Sequence, residues 1–162
     1  MKTNFAMAFG IGLVCIAAAI FGVFYMQRGA HMELPGKVLK VRTAALDENS
    51  SVAVLDFRVT NPSNVLFMVR VVTVEMEDNE GKSYLGQVAA DTDAKRLFEA
   101  LPILGQKYND TLLMRDKIPG HTSQDRMVAA RFEAPVTRLD ARKRFVIRIE
   151  EVDGKEYELS ER

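Results

Sequence analysis

Residues 5–26 carry no charge at all, and beyond residue 36 the chain changes to short stretches in which apolar and polar positions alternate. The first pattern predicts a helix. At about 1.5 Å per residue it reaches roughly 33 Å, enough to cross the hydrocarbon core of a bilayer. The second pattern predicts half-buried strands, because successive side chains on a strand point to opposite faces. Over residues 51–60, Ala53, Leu55, Phe57 and Val59 point one way while Asp56, Arg58 and Thr60 point the other. Residues 37–43, 126–134 and 144–151 follow the same rule, while the valine-rich residues 65–77 and the segments 82–88 and 155–159 read as strands beside their turns. A shorter strand is predicted over residues 111–115.

The breaks between these stretches are turn signals. Asn61-Pro62-Ser63-Asn64 ends one strand, since proline cannot donate to a ladder. Asp78-Asn79-Glu80-Gly81 and Asp153-Gly154 each join two strands, and Ile118-Pro119-Gly120-His121 turns again. One segment keeps a different period. Ala94, Leu97, Phe98 and Leu101 fall at helical spacing, with Asp91 or Thr92 as the expected cap and Pro102 as the stop. Residues 103–110 are expected to be loop. The fold class is therefore mainly β: an N-terminal transmembrane helix followed by an antiparallel β-sandwich with one inserted short helix. The domain organisation is a short tail at 1–4, a signal-anchor helix at 5–26, a juxtamembrane linker at 27–36 and a β-sandwich domain at 37–160.

The uncharged run has two competing readings. A cleaved signal peptide would use Ala17 and Ala19, but cleavage there would leave Ile20, Phe21, Val23, Phe24 and Tyr25 exposed at the new terminus. A lipoprotein signal ending at Cys15 would need a small residue where Val14 stands. Lys2 before the run and Arg28 after it favour the N-terminus inside. Lys37, Lys40 and Arg42 argue the other way, but they fall in the first strand, and folded domains cross largely regardless of charge. The expected location is the cell membrane, single-pass, with the domain extracytoplasmic (periplasmic). The Ala6/Gly10, Ala8/Gly12 and Ala18/Gly22 pairs could let two such helices approach in a weak homodimer.

Charge narrows the partners. Lys plus Arg and Asp plus Glu both number 22, so the chain has no global field for nucleic acid. The single cysteine, Cys15, lies in the uncharged run, which leaves the sandwich without a disulfide or a thiolate metal site.

Several short motifs carry a family likeness. Val59-Thr60-Asn61-Pro62-Ser63 ends a strand, a valine-rich strand runs into Asp78-Asn79-Glu80-Gly81, and Ile118-Pro119-Gly120 precedes Met127-Val128-Ala129-Ala130-Arg131-Phe132. Over roughly residues 37–160 this resembles the immunoglobulin-like sandwiches of bacterial membrane-anchored proteins. It is also similar to the water-stress and hypersensitive-response domain. The resemblance implies a sandwich with an accessory or binding role, and it transfers no catalytic residue. The helix near Asp93 departs from it.

No constellation of catalytic residues stands out. His31 and His121 lie in different contexts and lack further ligands for zinc. Glu75, Glu77, Asp78 and Glu80 form an acidic cluster without calcium-loop spacing, best explained as a solvated hairpin tip. Asp91, Asp93, Asp110 and Asp116 offer carboxylates, but the first two suit a helix N-terminus. Arg138, Arg142, Lys143 and Arg144 form a small basic patch. The expectation is a protein that is not an enzyme and uses no cofactor or metal. It would contact membrane lipid through residues 5–26 and a protein partner in the envelope. The alternative is a lipid- or glycan-binding module. The candidate partner-binding residues are Leu97, Phe98, Leu101, Ile103 and Leu104, an unusually apolar stretch that either folds back over the sandwich or meets a partner.

Overall fold

The computed structural model describes residues 34–161 and six helical positions of the uncharged run: Gly12, Val14, Ile16, Ala17, Ala18 and Phe21. Among the described residues no helix is long and apolar enough to cross a membrane. The anchor expected at 5–26 lies mostly outside the described residues. So do the tail at 1–4, Cys15, His31, most of the small-residue pairs and most of the linker.

The domain is mainly antiparallel β. Its strands are β1 (Gly36–Ala45), β2 (Ser51–Asn61), β3 (Phe67–Glu77), β4 (Ser83–Val88), β5 (Asp110–Thr111), β6 (Lys117–Ile118), β7 (Thr122–Phe132), β8 (Arg144–Glu151) and β9 (Glu156–Ser160). Two helices interrupt them, α1 (Asp91–Ala100) and α2 (Val136–Asp140). The hydrogen-bonded order is β1-β2-β7-β4-β3-β8-β9. β4 ties the two halves together: Ser83 to Gly86 pair with β3, while Gln87 and Val88 pair with β7. The halves fold over a shared core. Phe132 on β7 meets Phe145 on β8 with ring centroids 5.7 Å apart, although those strands are not ladder neighbours. Gly86 is the contact point at the fold. A Cβ there would stand 2.6 Å from Phe132 Cζ.

The alternation places Ala53, Leu55, Phe57 and Val59 in this core, opposite Val128 and Ala130 of β7 and Val38 and Val41 of β1. Phe145, Ile147 and Ile149 enter from the other half, and Gly154 turns the last hairpin at a φ of 82°. Several expectations need correction. Asp56 does leave the core on the opposite face, but it is buried there rather than solvated. A second layer, described below, covers that face.

Of the strand expected at 111–115, only Thr111 is in a strand, the two-residue β5 with Asp110, which runs parallel to β7. Within the Ile118 turn, Lys117 and Ile118 first pair with Met68 and Phe67. α2 was not predicted; its five residues are too few to show a period, and it is fixed by one buried side chain, Leu139. β1 begins at Gly36 with Leu34 already buried, so the end of the expected linker packs with the domain.

Candidate functional site

The apolar stretch singled out in the sequence belongs to an excursion whose two ends, after β4 and after β5, are both bonded to β7. The chain leaves the side of β7 just after β4, where the Ala89 N–H donates to the Ala129 carbonyl at 2.8 Å. It returns where the Leu112 N–H donates to the Met127 carbonyl, also at 2.8 Å. The two acceptors are two residues apart, so the excursion is a compact loop with closed ends. It contains α1 and a 3-10 turn at Pro102–Leu104. Neither expected residue caps α1. The N-cap is Ala90, without a side-chain bond, and Asp91 is the first helical residue.

The helical stripe faces the outer side of the sheet. Ala94 and Leu104 are buried against Ala44, Val52, Val54, Met127 and Ala129, and Leu97, Phe98 and Leu101 pack on the same cluster while remaining part-exposed. The five candidate residues therefore separate. Leu104 is 1% exposed and packs under the excursion, whereas Ile103 is 81% exposed and projects outward.

A buried ion pair fastens this layer. Arg42 Nη2 donates to Asp56 Oδ2 at 2.7 Å, and the two side chains are only 8% and 4% exposed. Arg42 Nη1 donates to the carbonyls of Leu104 and Gln106 at 2.7 and 2.8 Å. Asn109 Nδ2 donates to Asp56 Oδ1 at 2.8 Å. The guanidinium also lies over the rings of Phe98 and Tyr108, 5.0 and 5.7 Å from their centroids. One charge pair on β1 and β2 thus holds the helix, the 3-10 turn and the returning loop together. Arginine suits the place because its planar fork can bond in several directions and stack at once.

A second, exposed link stands at the start of α1. Asp91 pairs with Lys95 at 2.7 Å and Lys107 at 3.3 Å, and it accepts from Thr111 Oγ1 at 2.8 Å. The Lys95 ammonium above all, with Thr111 and Lys107, holds the Asp91 carboxyl well below the usual carboxylate range.

The remaining candidate residues are engaged elsewhere. His121 adopts a positive φ of 55° and contacts the Asn64 side chain. Asp116 accepts from the Leu113 N–H, so Asp91, Asp116 and His121 have separate partners. Of the acidic cluster, Asp78 accepts the N–H groups of Glu80 and Lys82, while Glu75 and Glu77 pair with Arg148, Lys143 and Arg144. The basic patch is spent in the same way, with Arg142 on Glu161 and Arg138 on the Tyr84 hydroxyl.

No family model matches the chain, and no curated protein matches it. Two solved structures are similar in part. One is an uncharacterized β-sandwich protein from Clostridium difficile 630, 9% identical, covering 80% of this chain and 86% of that one with a TM-score of 0.41. The other is the Northeast Structural Genomics Consortium target SoR45, 10% identical, covering 80% of each chain with a TM-score of 0.35. Likenesses this slight carry no argument about what this chain does.

Proposed function

We propose that this protein is a non-enzymatic, membrane-anchored recognition module of the cell envelope. The uncharged run at 5–26 supports the anchor, and the immunoglobulin-like class belongs to the same proposal. The observation that carries the recognition role is the excursion: about twenty residues held rigidly on the sheet by the Arg42–Asp56 pair, with Ile103 projecting beside part-exposed Leu97, Phe98 and Leu101. A preorganised apolar surface loses little conformational freedom on binding, which is where weakly ordered surfaces lose affinity.

A photocrosslinking residue at Ile103, compared in intact cells with the same residue at exposed Leu85 on β4, tests the role. The proposal expects a discrete adduct at 103 and none at 85. Equal patterns at the two positions would overturn it. Alkaline phosphatase fused after Arg162 tests the location: an active fusion supports an extracytoplasmic domain, and an inactive one refutes it.

One observation favours a second reading, a lipid-binding module. Between α1 and the sheet lies a groove of about 430 Å3 lined by Val52, Val88, Ala89 and Leu97 together with the charged Asp93, Arg96 and Arg131. That volume is within the range of small-molecule sites. A long-chain fatty acid binding there would shield Leu97 rather than Ile103.

A further inference from the structure

The pairings divide most of the connections of the sandwich between two ends. Gly36 pairs with Val59, and the Thr60 N–H donates to the Pro35 carbonyl at 2.9 Å, so β1 begins beside the end of β2. Asn61, the last residue of β2, pairs with Thr122, the first of β7, and its Nδ2 donates to the Val65 and Ile118 carbonyls at 2.8 and 2.9 Å. The Val152 N–H donates to the Met68 carbonyl at 3.1 Å, while Lys117 pairs with Met68 from its other side. Residues 34–36, 61–66, 117–122 and 152–155 therefore share one end of the domain. The connections at 46–50, 78–82 and 133–143 share the other. There Ala45 pairs with Ser51, Glu77 with Ser83, Ser51 Oγ donates to the Ala134 carbonyl, and the Lys143 N–H donates to the Glu77 carbonyl.

The two ends differ in what they expose. Where residue 34 enters, Val65, Leu66 and Val152 are 63, 43 and 53% exposed. Leu113 and Met114 are exposed in the adjoining turn, whose Arg115 N–H donates to the Val69 carbonyl. Among the described residues no large apolar side chain is exposed at 46–50, 78–82 or 133–143. Apolar surface residues scattered singly need no cover, but a group gathered at one end marks a contact surface. Exposed Arg115, Lys117 and Lys155 stand around this group together with Asp116, Asp153 and Glu156. Cations and carboxylates balance, so apolar contact rather than a net field must hold whatever lies against it.

The tether says what lies within reach. Leu34 is buried at this same end, and only residues 27–33 separate it from the uncharged run at 5–26. The steps from residue 26 to residue 34 span at most about 29 Å when fully extended. A domain tethered that closely to a bilayer meets lipid before any other surface, and apolar side chains ringed by both signs of charge suit a headgroup layer.

We propose that this end of the sandwich rests on the bilayer, with Val65, Leu66 and Val152 inserted among the lipid headgroups. This contact depends on the anchor proposed above and adds to it a second attachment, made by the folded domain itself. It leaves the excursion, which packs on Ala44 and Val52 beside the opposite end, clear of the lipid.

The test uses the full chain with Cys15→Ser, reconstituted into phosphatidylcholine vesicles that carry a nitroxide near the headgroup end of the acyl chain. A bimane is attached through Val65→Cys or, at the opposite end, through Glu80→Cys. Quenching at 65 should exceed quenching at 80 several-fold, and Leu66→Asp with Val152→Asp should remove most of that difference. The substituted residues of the domain are all exposed, and circular dichroism of each variant checks that the sandwich is intact. Equal quenching at 65 and 80 in a chain that floats with the vesicles overturns the contact and leaves the anchor standing. Quenching at 65 that survives the double substitution overturns insertion through these side chains. A chain that does not float with the vesicles overturns the anchor and the contact together.

Discussion

Replacing Asp56 with alanine tests whether the excursion is clamped or merely rests on the sheet. The substitution removes the acceptor of Arg42 Nη2 at 2.7 Å and the acceptor of Asn109 Nδ2 at 2.8 Å. It also leaves a guanidinium 8% exposed without its counter-ion. Removing one partner of a buried pair typically costs about 3–5 kcal/mol. Arg42 retains its bonds to the Leu104 and Gln106 carbonyls, so the lower end of that range, about 3 kcal/mol, applies here. Urea unfolding followed by circular dichroism should show the loss as a lower midpoint with an unchanged slope. Hydrogen exchange should localise it, with amides of residues 101–109 losing protection before those of β2 and β7. A loss below about 1 kcal/mol, the scale of an exposed ion pair, would refute the clamp.

Three further outcomes follow from the same coordinates. Leu104→Ala should cost about 2–5 kcal/mol in urea unfolding, because Leu104 is buried, whereas Ile103→Asp should stay within about 0.5 kcal/mol; equal costs would contradict the burial assignment. Gly86→Val should destabilise by at least about 1–3 kcal/mol, since even a Cβ would stand 2.6 Å from Phe132 Cζ, and a thermal melt as high as that of the parent would show that the fold at β4 can relax. Glu151 is 6% exposed and its Oε2 meets no donor among the described residues; burial first, and Asp153 next, hold its carboxyl above the usual range. The native state therefore holds this proton more tightly than the unfolded chain, so Glu151's favourable contribution is complete below the unfolded pKa and is lost as pH rises through the folded one. Glu151→Gln should then stabilise the protein at neutral pH and change little near pH ~4. A Gln variant that is less stable at neutral pH than at low pH, relative to the parent, would reverse the sign.

Strands such as β8 were legible because one face lies in the core and the other is less buried. In β8, Phe145, Ile147 and Ile149 alternate with Arg148 and Glu150, and burial follows that pattern. The Gly81 and Gly154 turns were equally plain, both requiring a positive φ. β2 was legible on one face only. Val52, Val54 and Asp56 form a second buried face, and the layer that buries it lies some forty to fifty residues away in sequence. Periodicity detects a stripe but not what will cover it. For the same reason Arg42 and Asp56 looked like ordinary outward charges of two half-solvated strands. Nothing local distinguishes them from Arg58, whose partner Asp125 is exposed. β5 and β6 have two residues each, too short for any pattern.

What the excursion does to the sheet bears on the proposed recognition surface. The excursion buries the outer face over Ala44, Val52, Val54, Met127 and Ala129, while Arg58 and Asp125 farther along β2 and β7 stay exposed. The covered apolar patch is therefore closed to a protein partner, and recognition there must use the excursion itself.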